Sequence, residues 1–586
     1  MRRKKLHLTW FGELISRNEP AGRLFRSDEV TEDLGFGESD KQINSQRLHI
    51  FYLIIFLILL VFLGRLFGLS VIEGAKNREK SENNRIQLVE SEAERGKIFD
   101  REGRVIAYSQ NTNFIEKDNS LQQITQDQAK ELEKQGLAGE NFEGEMGIIK
   151  QAVERKYLLG EAGAHVLGYT SSWQGVEDEE DLTVSKNQAI GRLGLEQTYN
   201  QFLTGKTGKK IIEVDTFGKK VSILGEEDST SGRDIHLTID SQLQKVVFDE
   251  VKNQANKSGS KRGAAVVQDV ETGGILALVS VPAFDPGDIG KAVSNLDKPF
   301  FNRATQGNYP PGSIFKIVTA LAGLETGVID KNTEIEDVGE FELGGSKFSN
   351  WYFNQYGKKD GVIKIEKAIA RSNDIYFYRV AEKTGLENIR KLTIKFGLGQ
   401  KSGIDLPSEA VGLVPDEVWK KSAFGDNWYL GDTLHLGIGQ GFLLATPVQM
   451  NVITSYIALG KLMKPYLVSK IDKGIDSQEV IISSKITAED LVRSENLNIV
   501  RSGMRMACKT GGTGAPFFNA NYAVGCKTGT AERELGNPHA WFTVYAPFDS
   551  PKIAVTVLIE DGGEGSKVAA PAAREIVDWW MVNRAK

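Results

Sequence analysis

Cysteine and histidine are scarce in this chain: its 586 residues include two cysteines and six histidines. Two cysteines cannot form a multi-disulfide framework, and Cys508 and Cys526 show no metal-ligand spacing with any histidine. Both residues suit positions as small apolar side chains, with a single disulfide between them as the alternative. The sequence therefore excludes a cysteine-built scaffold and leaves the state of this pair open.

An excess of basic residues is also missing. Lys and Arg together number 72 against 78 Asp and Glu, which gives a formal net charge of -6. A chain without a basic excess is a poor match for nucleic acid, so we expect no nucleic-acid partner. The length exceeds what one hydrophobic core accommodates, and two or three domains are expected.

A single long apolar run stands out near the N-terminus. Residues 48–64, LHIFYLIIFLILLVFLG, contain no Asp, Glu, Lys or Arg, and the run is long enough to span a bilayer. Nothing in it is amphipathic, which disfavours a buried core helix. The 47 preceding residues are mostly polar and no A-x-A site follows, so the run is predicted to be an anchor, not a cleaved signal peptide.

The orientation of this anchor is less sharply indicated. Residues 65–84 hold more Lys and Arg than residues 28–47, which argues against a cytoplasmic N-terminus. The MRRKK start argues for one, and long domains cross membranes largely regardless of charge.

The part of the chain before residue 234 is predicted from composition. Residues 1–47 are polar and are predicted to be a poorly structured tail, whereas residues 115–160 are charged and are predicted to be mostly helical. Short strands are expected around Gly96 and the turn DREGR, and a hairpin is expected around DTFG, which lies between two β-branched stretches.

From about residue 234 the pattern changes to apolar strands and amphipathic helices. HLTIDSQLQKVVFDEVKNQA predicts a short strand and a helix capped by Asp240 or Ser241, and GAAVVQDV with GGILALVSV predicts a buried hairpin. Three further apolar strands and a last helix close the chain, after a long helix-rich middle. One sheet built from both ends of this region, with helices on its faces, is the expected arrangement.

Lys-Thr-Gly occurs twice, each time after a cysteine, at residues 509–511 and 527–529. The second copy ends a strand-like apolar run and is followed by another strand. The first copy follows a helix-like stretch and runs into GGTGAP, which is a loop composition. Only Lys527 is therefore expected to be held rigidly at a sheet edge.

Ser313 and Lys316 lie in YPPGSIFKIVTALAGLETG, where a Pro-Pro-Gly loop leads into an apolar helix. Three residues apart on a helix, they share one face, as a nucleophile and its base require. The lysine can accept a proton only if its pKa falls well below the reference value of about 10.4, and an apolar helix favours this. Taken alone, the pattern is common by chance.

A second element, Ser372-Asn373-Asp374, stands directly before an apolar helical stretch. Ser and Asp are frequent helix caps, which is the simpler interpretation of these residues taken alone. Ser313-x-x-Lys316, Ser372-x-Asp374 and Lys527-Thr528-Gly529 occur in this order, however, and that order is typical of penicillin-binding proteins and serine β-lactamases.

The chain resembles class B penicillin-binding proteins, most closely those of the penicillin-binding protein 2 type that act in cell elongation. Matching stretches cover most of residues 65–575; among them are RGKIFDREGRVIA, GRLGLEQTYNQFLTGKTG, NRATQGNYPPGSIFK, GDTLHLGIGQGFLLATPVQM and KTGTAE. Asp374 at the third position of the middle motif also resembles the elongation type, since the division type more often has Asn there. No glycosyltransferase segment is present.

This resemblance implies an α/β (α+β) fold, the penicillin-binding transpeptidase fold, with an antiparallel sheet flanked by helices, an elongated N-terminal pedestal and one transmembrane helix. The expected divisions are a cytoplasmic tail at 1–47, an anchor at 48–69, a pedestal of the dimerisation type at 70–232 and a transpeptidase domain at 233–586. The catalytic domain would lie outside the cytoplasmic membrane. No cofactor is expected, and no metal, because residues 320–371, where some relatives carry a metal site, hold no Cys or His.

The resemblance also implies catalytic roles. Ser313 would attack the penultimate carbonyl of a stem peptide ending in D-Ala-D-Ala, and Lys316 would take its proton. Ser372 would relay protons toward the leaving group, and Asp374 would orient Lys316 and Ser372 by charge-assisted hydrogen bonds. His435, where relatives often have Asn, is expected to have a structural role.

Substrate binding is implied for the last motif. Lys527, Thr528 and Thr530 would attract the terminal carboxylate of the stem peptide or of a β-lactam. Gly529 would let the substrate backbone lie close to the strand. The backbone N–H groups of Ser313 and Thr530 would form the oxyanion hole. A membrane glycan polymerase of the elongation machinery is the expected protein partner.

Three alternatives share these motifs. A β-lactamase would need a base for deacylation, and the pedestal and anchor argue against it. A β-lactam sensor would usually have several membrane segments and a signalling domain. A scaffold that activates a glycan polymerase through its anchor and pedestal is compatible with catalysis.

Overall fold

The computed structural model describes residues 45–117, 120–135, 138–139, 147–172, 189–215, 220–475, 477–533 and 535–585. The predicted tail at 1–47 falls almost entirely outside these residues. Contacts between Cα atoms divide the chain between Glu82 and Asn83.

The described part of the N-terminal unit is helical. It comprises α1 (Ser45–Phe67), a π-helical turn (Gly68–Ile72) and most of α2 (Gly74–Arg85). Leu48–Ile72, with a mean hydropathy of 2.8, is the one segment of the described chain that is long and apolar enough to cross a membrane. The predicted apolar run is thus a helix suited to be a single membrane span.

The next part of the chain is built mainly from strands. Its elements are β1 (Ile86–Ser91), β2 (Ile98–Phe99), β3 (Val105–Lys117), β4 (Ser120–Ile124), α3 (Gln126–Lys134), β5 (Ala138–Gly139), β6 (Gly147–Tyr157), α4 (Ala164–Leu167), β7 (Thr170–Ser172), β8 (Ala189–Gly191), α5 (Gly194–Thr198), α6 (Asn200–Leu203), β9 (Gly208–Val214), β10 (Lys220–Glu227) and β11 (Ile235–Leu237).

The prediction that residues 115–160 are mostly helical is wrong. Among the described residues of this range only α3 is an α-helix, and β3 and β6 form a long antiparallel pair. The charged side chains that suggested a helix alternate with apolar ones, so that Ile115 and Ile149 are buried opposite each other while Glu116 and Lys150 are more exposed. The hairpin around DTFG is confirmed as β9 and β10, with residues 216–219 of its turn outside the described chain.

The remaining elements are strands near both ends of this region and a long middle part that is mostly helical. They are α7 (Ser241–Lys257), β12 (Gly263–Asp269), β13 (Ile275–Val281), α8 (Gly290–Val293), α9 (Lys316–Glu325), β14 (Ile335–Asp337), β15 (Glu340–Leu343), β16 (Ser346–Ser349), α10 (Trp351–Tyr356), β17 (Gly361–Ile363), α11 (Ile365–Arg371), α12 (Asp374–Thr384), α13 (Leu386–Lys395), α14 (Glu417–Phe424), α15 (Leu430–Gly437), α16 (Pro447–Leu459), β18 (Lys461–Met463), β19 (Val468–Ile471), β20 (Val480–Ile481), β21 (Ile486–Glu489), α17 (Ser494–Ala507), β22 (Gly525–Ala531), β23 (His539–Ala546), β24 (Ile553–Ile559) and α18 (Ala569–Asn583).

The expected sheet assembled from both ends of this region is confirmed. Five antiparallel strands lie in the order β13-β12-β24-β23-β22, so the hairpin from residues 263–281 joins the three C-terminal strands. The helix before this hairpin begins as predicted, with the Asp240 carboxylate accepting from the backbone N–H groups of Gln242 and Leu243. The strand β22 is an edge strand, open on the side away from β23.

Helices cover both faces of this sheet. On β23, Phe542 and Val544 pack in the core formed with α7 and α18, whereas Trp541 and Tyr545 pack in the core that includes α9, α12 and α16. Side chains of a strand alternate between its two faces, and directly paired residues share a face. Lys527 pairs with Thr543 and therefore faces the second core, whereas its neighbour Cys526 pairs with Val544 and faces the first.

A second, larger sheet combines strands from distant parts of the chain. Its order is β20-β19-β11-β2-β3-β6-β5, with β4 paired to β3. Together the two sheets and their helices confirm a mixed α/β fold with an antiparallel sheet flanked by helices. The boundaries placed at residues 69 and 232 stay predictions.

Candidate active site

Ser313 lies in a short 3₁₀ turn, Gly312–Phe315, which leads directly into α9. Residues three apart are stacked above one another in this geometry, which puts Ser313 and Lys316 on one side. Ile314 and Phe315 are fully buried and anchor the turn, while Ser313 itself is half-buried. The turn therefore presents a hydroxyl group from an otherwise fixed backbone.

Lys316 is fully buried, and its Nζ is surrounded by oxygen atoms of the second motif. It donates to Asp374 Oδ1 at 2.6 Å, to the Ser372 carbonyl at 2.8 Å and to Ser372 Oγ at 3.5 Å. Burial lowers the pKa of Lys316, and the Asp374 carboxylate opposes that effect. The lysine is thus placed where its neutral form is more accessible than in water.

Ser372 and Asp374 flank the residue that actually caps α12. The side chain of Asn373 accepts from the backbone N–H of Tyr376 at 2.9 Å, as a helix cap does. Ser372 ends α11 with a φ of 54°, a left-handed conformation that non-glycine residues rarely adopt. The helix-cap interpretation of Ser372 and Asp374 is therefore wrong, because Asn373 is the cap. Ser372 Oγ and Asp374 Oδ1 instead accept from lysines.

Lys527 is the second fully buried lysine of the site. Its Nζ donates to Ser372 Oγ at 2.7 Å and to the Thr528 carbonyl at 2.8 Å. Burial lowers the pKa of Lys527 well below the ordinary lysine value, the neighbouring Lys316 lowers it further, and Asp374 opposes both effects. Ser372 Oγ thus bridges two lysines whose positive charges repel each other.

Gly529 lies close to other protein atoms, and its proposed role in substrate binding stays a prediction. A Cβ atom at this position would lie 2.9 Å from Trp541 Cβ, 3.0 Å from Ile314 Cγ2 and 3.2 Å from the Pro311 carbonyl. The glycine therefore lets the turn that carries Ser313 approach β22. The close neighbour that excludes a side chain here is the protein itself.

The edge of β22 beyond Gly529 faces the same turn. The Thr530 carbonyl accepts from Gln440 Nε2 at 3.4 Å, and the Gly312 backbone N–H donates to the Gly439 carbonyl at 2.8 Å. In an antiparallel strand the N–H and C=O groups of one residue point the same way, so the Thr530 N–H also points away from β23. It lies on the open edge, beside the Ser313 turn.

The first Lys-Thr-Gly copy does not bring its lysine to the site. Lys509 is exposed, whereas Lys527 is fully buried. The loop that follows Lys509 nevertheless reaches the site, because the Thr528 hydroxyl donates to Thr513 Oγ1 at 2.9 Å. Thr513 was not predicted from the sequence, where it stands two residues after Gly511 of the first copy.

Cys508 and Cys526 form a disulfide, which decides between the two alternatives left open by the sequence. Their Cα atoms are 5.9 Å apart, an ordinary separation for a disulfide. The bond joins the end of α17 to β22 at the residue before Lys527. It thereby attaches the loop that carries Thr513 to the strand that carries Thr528.

His435 lies at the end of α15, with its ring centroid 5.2 Å from that of Phe348. Its carbonyl accepts from the backbone N–H groups of Ile438 and Gln440. These backbone contacts shape the turn that brings Gln440 to β22, and the structural role of the His435 side chain stays a prediction.

Comparisons with known proteins agree with this geometry. The model of the penicillin binding protein transpeptidase domain matches residues 263–578, and that of the penicillin-binding protein dimerisation domain matches residues 114–237. The chain belongs to the penicillin-binding proteins. The first of these two matches contains all five residues predicted to be catalytic, Ser313, Lys316, Ser372, Asp374 and Lys527.

Among relatives of this penicillin-binding protein is the peptidoglycan D,D-transpeptidase MrdA of Haemophilus influenzae, 30% identical with 93% of each chain covered. The penicillin-binding protein 2 of Pseudomonas aeruginosa, solved in complex with WCK 5153, is 31% identical. It superposes with a TM-score of 0.66 over 85% of this chain and 98% of that one. A chain from a peptidoglycan synthase complex that coordinates polymerization and crosslinking is 27% identical, with a TM-score of 0.70 over 92% and 99%. The chain is a class B penicillin-binding protein of the penicillin-binding protein 2 type, with the penicillin-binding transpeptidase fold.

Proposed function

We propose that this chain is a serine D,D-transpeptidase that crosslinks peptidoglycan stem peptides ending in D-Ala-D-Ala during cell-wall elongation. The observation that carries the proposal is the Ser372 hydroxyl, held between two fully buried lysines at the side of the Ser313 turn. Such an arrangement can move a proton between the lysines without exposing either of them to water.

The first step is acylation of Ser313. The Ser313 Oγ attacks the carbonyl carbon of the penultimate D-Ala, and its proton passes to neutral Lys316. The proton then reaches the nitrogen of the leaving D-Ala through the Ser372 hydroxyl, so that the C–N bond breaks and D-Ala departs as an amine. Asp374 holds Lys316 in place through its 2.6 Å contact.

The substrate carboxylate prepares the lysines for this step. Lys527 lacks a carboxylate within hydrogen-bonding distance among the described residues, and its pKa is well below the ordinary lysine value. A carboxylate bound beside Thr528 and Thr530 raises that pKa, because it favours the ammonium form. A proton can then pass from Lys316 through Ser372 Oγ to Lys527, which leaves Lys316 neutral.

The backbone N–H groups of Ser313 and Thr530 stabilise the oxyanion that forms during attack. The support for this is the Thr530 N–H, which points to the open edge of β22 beside the Ser313 turn. Each donor of such a pair contributes on the order of 3–4 kcal/mol to the transition state. An amine of a neighbouring stem peptide then attacks the acyl-enzyme carbonyl, which releases Ser313 and forms the crosslink.

The location and the partner are part of the same proposal. Leu48–Ile72 anchors the chain in the cytoplasmic membrane as a single span, with the catalytic residues on the extracytoplasmic side. A membrane glycan polymerase is the partner, and β-lactams compete with the stem peptide. The related chain in a complex that coordinates polymerization and crosslinking supports this partner.

Mass spectrometry of the full chain, purified in detergent and incubated with a penicillin, tests the activity. A stable mass increase mapped to the peptide that contains Ser313 is expected, because a transpeptidase deacylates slowly with water. Consumption of penicillin without an adduct would indicate a hydrolase. If no adduct forms and no penicillin is consumed, catalysis is contradicted and a polymerase-activating scaffold is favoured.

The pH dependence of acylation follows from the lysines. Burial lowers the pKa of Lys316, and only neutral Lys316 accepts the serine proton, so the acylation rate should rise with pH on a limb below the ordinary lysine range. The Asp374 carboxylate opposes this lowering, so Asp374→Asn should move the limb to lower pH. Second-order rate constants with a fluorescent penicillin, measured between about pH 5 and pH 10, check both statements. A limb that Asp374→Asn leaves in place would contradict the assignment of Lys316 as the base.

A further inference from the structure

A buried carboxylate outside the three motifs lies behind the second motif. Asp337, at the end of β14, is 2% exposed. Its Oδ1 accepts from the Gly339 N–H at 2.9 Å, and its Oδ2 accepts from Asn350 Nδ2 at 2.9 Å, the Asp360 N–H at 2.8 Å and Asn373 Nδ2 at 2.9 Å. All four donors are neutral. A carboxyl group is costly to bury without hydrogen-bond partners, and these four bonds define its position.

Two of the donors, Asn350 and Asn373, also accept hydrogen bonds from the start of α12, the helix that begins with Asp374. Asn350 is fully buried, and while its Nδ2 donates to Asp337, its Oδ1 accepts from the Asp374 N–H at 3.2 Å. Asn373 is also fully buried, and its Oδ1 caps α12 through the Tyr376 N–H. Both amides therefore donate to Asp337 at one end, Asn373 also to Asp360 Oδ2 at 3.2 Å, and hold the first residues of α12 at the other end.

The Asp374 carboxylate is held from the same side. Its Oδ2 accepts from the Trp351 N–H at 2.9 Å, and Trp351 directly follows Asn350 in the chain. Its Oδ1 accepts from Lys316 Nζ at 2.6 Å. A displacement of Asn350 would thus move both the amide and the carboxylate of Asp374.

We infer that Asp337 is a positioning residue for the active site, which through Asn350 and Asn373 sets the place of Asp374 and hence that of Lys316 and Ser372. This inference rests on the proposed function, since it concerns the geometry of the proposed base. Asp337 contacts no reacting atom. Its effect is exerted on the acylation step through the start of α12.

The variant Asp337→Asn tests the inference in the full chain in detergent. Asparagine replaces one of the two carboxylate oxygen atoms by an NH₂ group. Three donors converge on Oδ2 and one on Oδ1, so in either orientation of the amide the NH₂ group faces a donor. We expect the maximal rate of acylation by a penicillin to fall by about 10- to 100-fold, as misplaced catalytic groups cause. The penicillin concentration that gives half of the maximal rate should stay nearly the same.

Asp330→Asn is the matched control. Asp330 lies earlier in the same segment, is exposed, and likewise accepts from turn residues, the Asn332 N–H at 2.9 Å and the Thr333 hydroxyl at 2.8 Å. Its substitution should leave the acylation rate unchanged. An equal loss in both variants would overturn the inference.

Asn373→Ser provides a second variant if Asp337→Asn fails to fold. Serine caps a helix well but lacks the Nδ2 that reaches Asp337, so the loss in maximal rate should recur with α12 still capped. In addition, Asp337→Asn should cost little in an Asp374→Asn background, because residues that act through one another give non-additive effects.

The outcomes separate this inference from the proposed function. If the wild-type protein is acylated at Ser313 and the Asp337→Asn and Asn373→Ser variants react as fast, only this inference is overturned and the proposed function stands. Fully additive effects of Asp337→Asn and Asp374→Asn would also overturn it. Wild-type protein that is never acylated would overturn the proposed function and this inference with it.

Discussion

Ser313→Ala should abolish covalent labelling of the chain by a penicillin. The substitution removes the oxygen that forms the acyl bond, and loss of the nucleophile in a serine enzyme costs on the order of 10⁶-fold in rate. Because Ser313 is half-buried and its neighbours Ile314 and Phe315 anchor the turn, the fold should tolerate the change. Gel fluorescence with a labelled penicillin, alongside thermal unfolding, measures both effects.

Ser294→Ala is a suitable control for this experiment. Ser294 is exposed and follows the short helix α8 in the same catalytic region. The Ser294→Ala variant should be labelled at the wild-type rate. Labelling of Ser313→Ala at the wild-type rate would refute Ser313 as the nucleophile. Growth of cells that carry only Ser313→Ala would instead indicate that the scaffold role dominates.

Lys527→Ala should slow penicillin labelling by roughly 10²-fold or more, because losing the charged partner of a bound carboxylate costs several kcal/mol. The variant loses the donor to Ser372 Oγ at 2.7 Å and the cation that would bind the substrate carboxylate. Second-order rate constants over a range of penicillin concentrations measure the loss.

The chain contains its own control for this variant. Lys509 occupies the same position in the first Lys-Thr-Gly copy, also after a cysteine of the same disulfide, but it is exposed. Lys509→Ala should therefore be labelled at nearly the wild-type rate. The reverse ranking of the two variants would mean that the first copy serves the active site.

Local patterns in the sequence were sufficient for most of the catalytic region. The Asp240 cap, the hairpin of β12 and β13 and the three C-terminal strands follow from apolar runs and turn residues, which act over a few neighbours. Residues 115–160 were predicted wrongly because charged side chains suit a surface helix and an exposed strand face equally well. Pairing of β3 with β6 decided between them, and that pairing is a non-local contact.

The sequence by itself determined which residue types are available, in which order, and that Lys527 belongs to a strand and Lys509 to a loop. Only the tertiary structure decided which of them meet. Ser313 and Ser372 are 59 residues apart and Ser372 and Lys527 are 155, yet a single hydroxyl joins both buried lysines.

The physical reason is that these contacts depend on packing between elements. The alternation of β22 and its register with β23 turn Lys527 to one face and Cys526 to the other. The absence of a side chain at Gly529 lets the Ser313 turn approach that strand. Asp337 acts through amides from two other segments, and no local pattern in the sequence reports such a convergence.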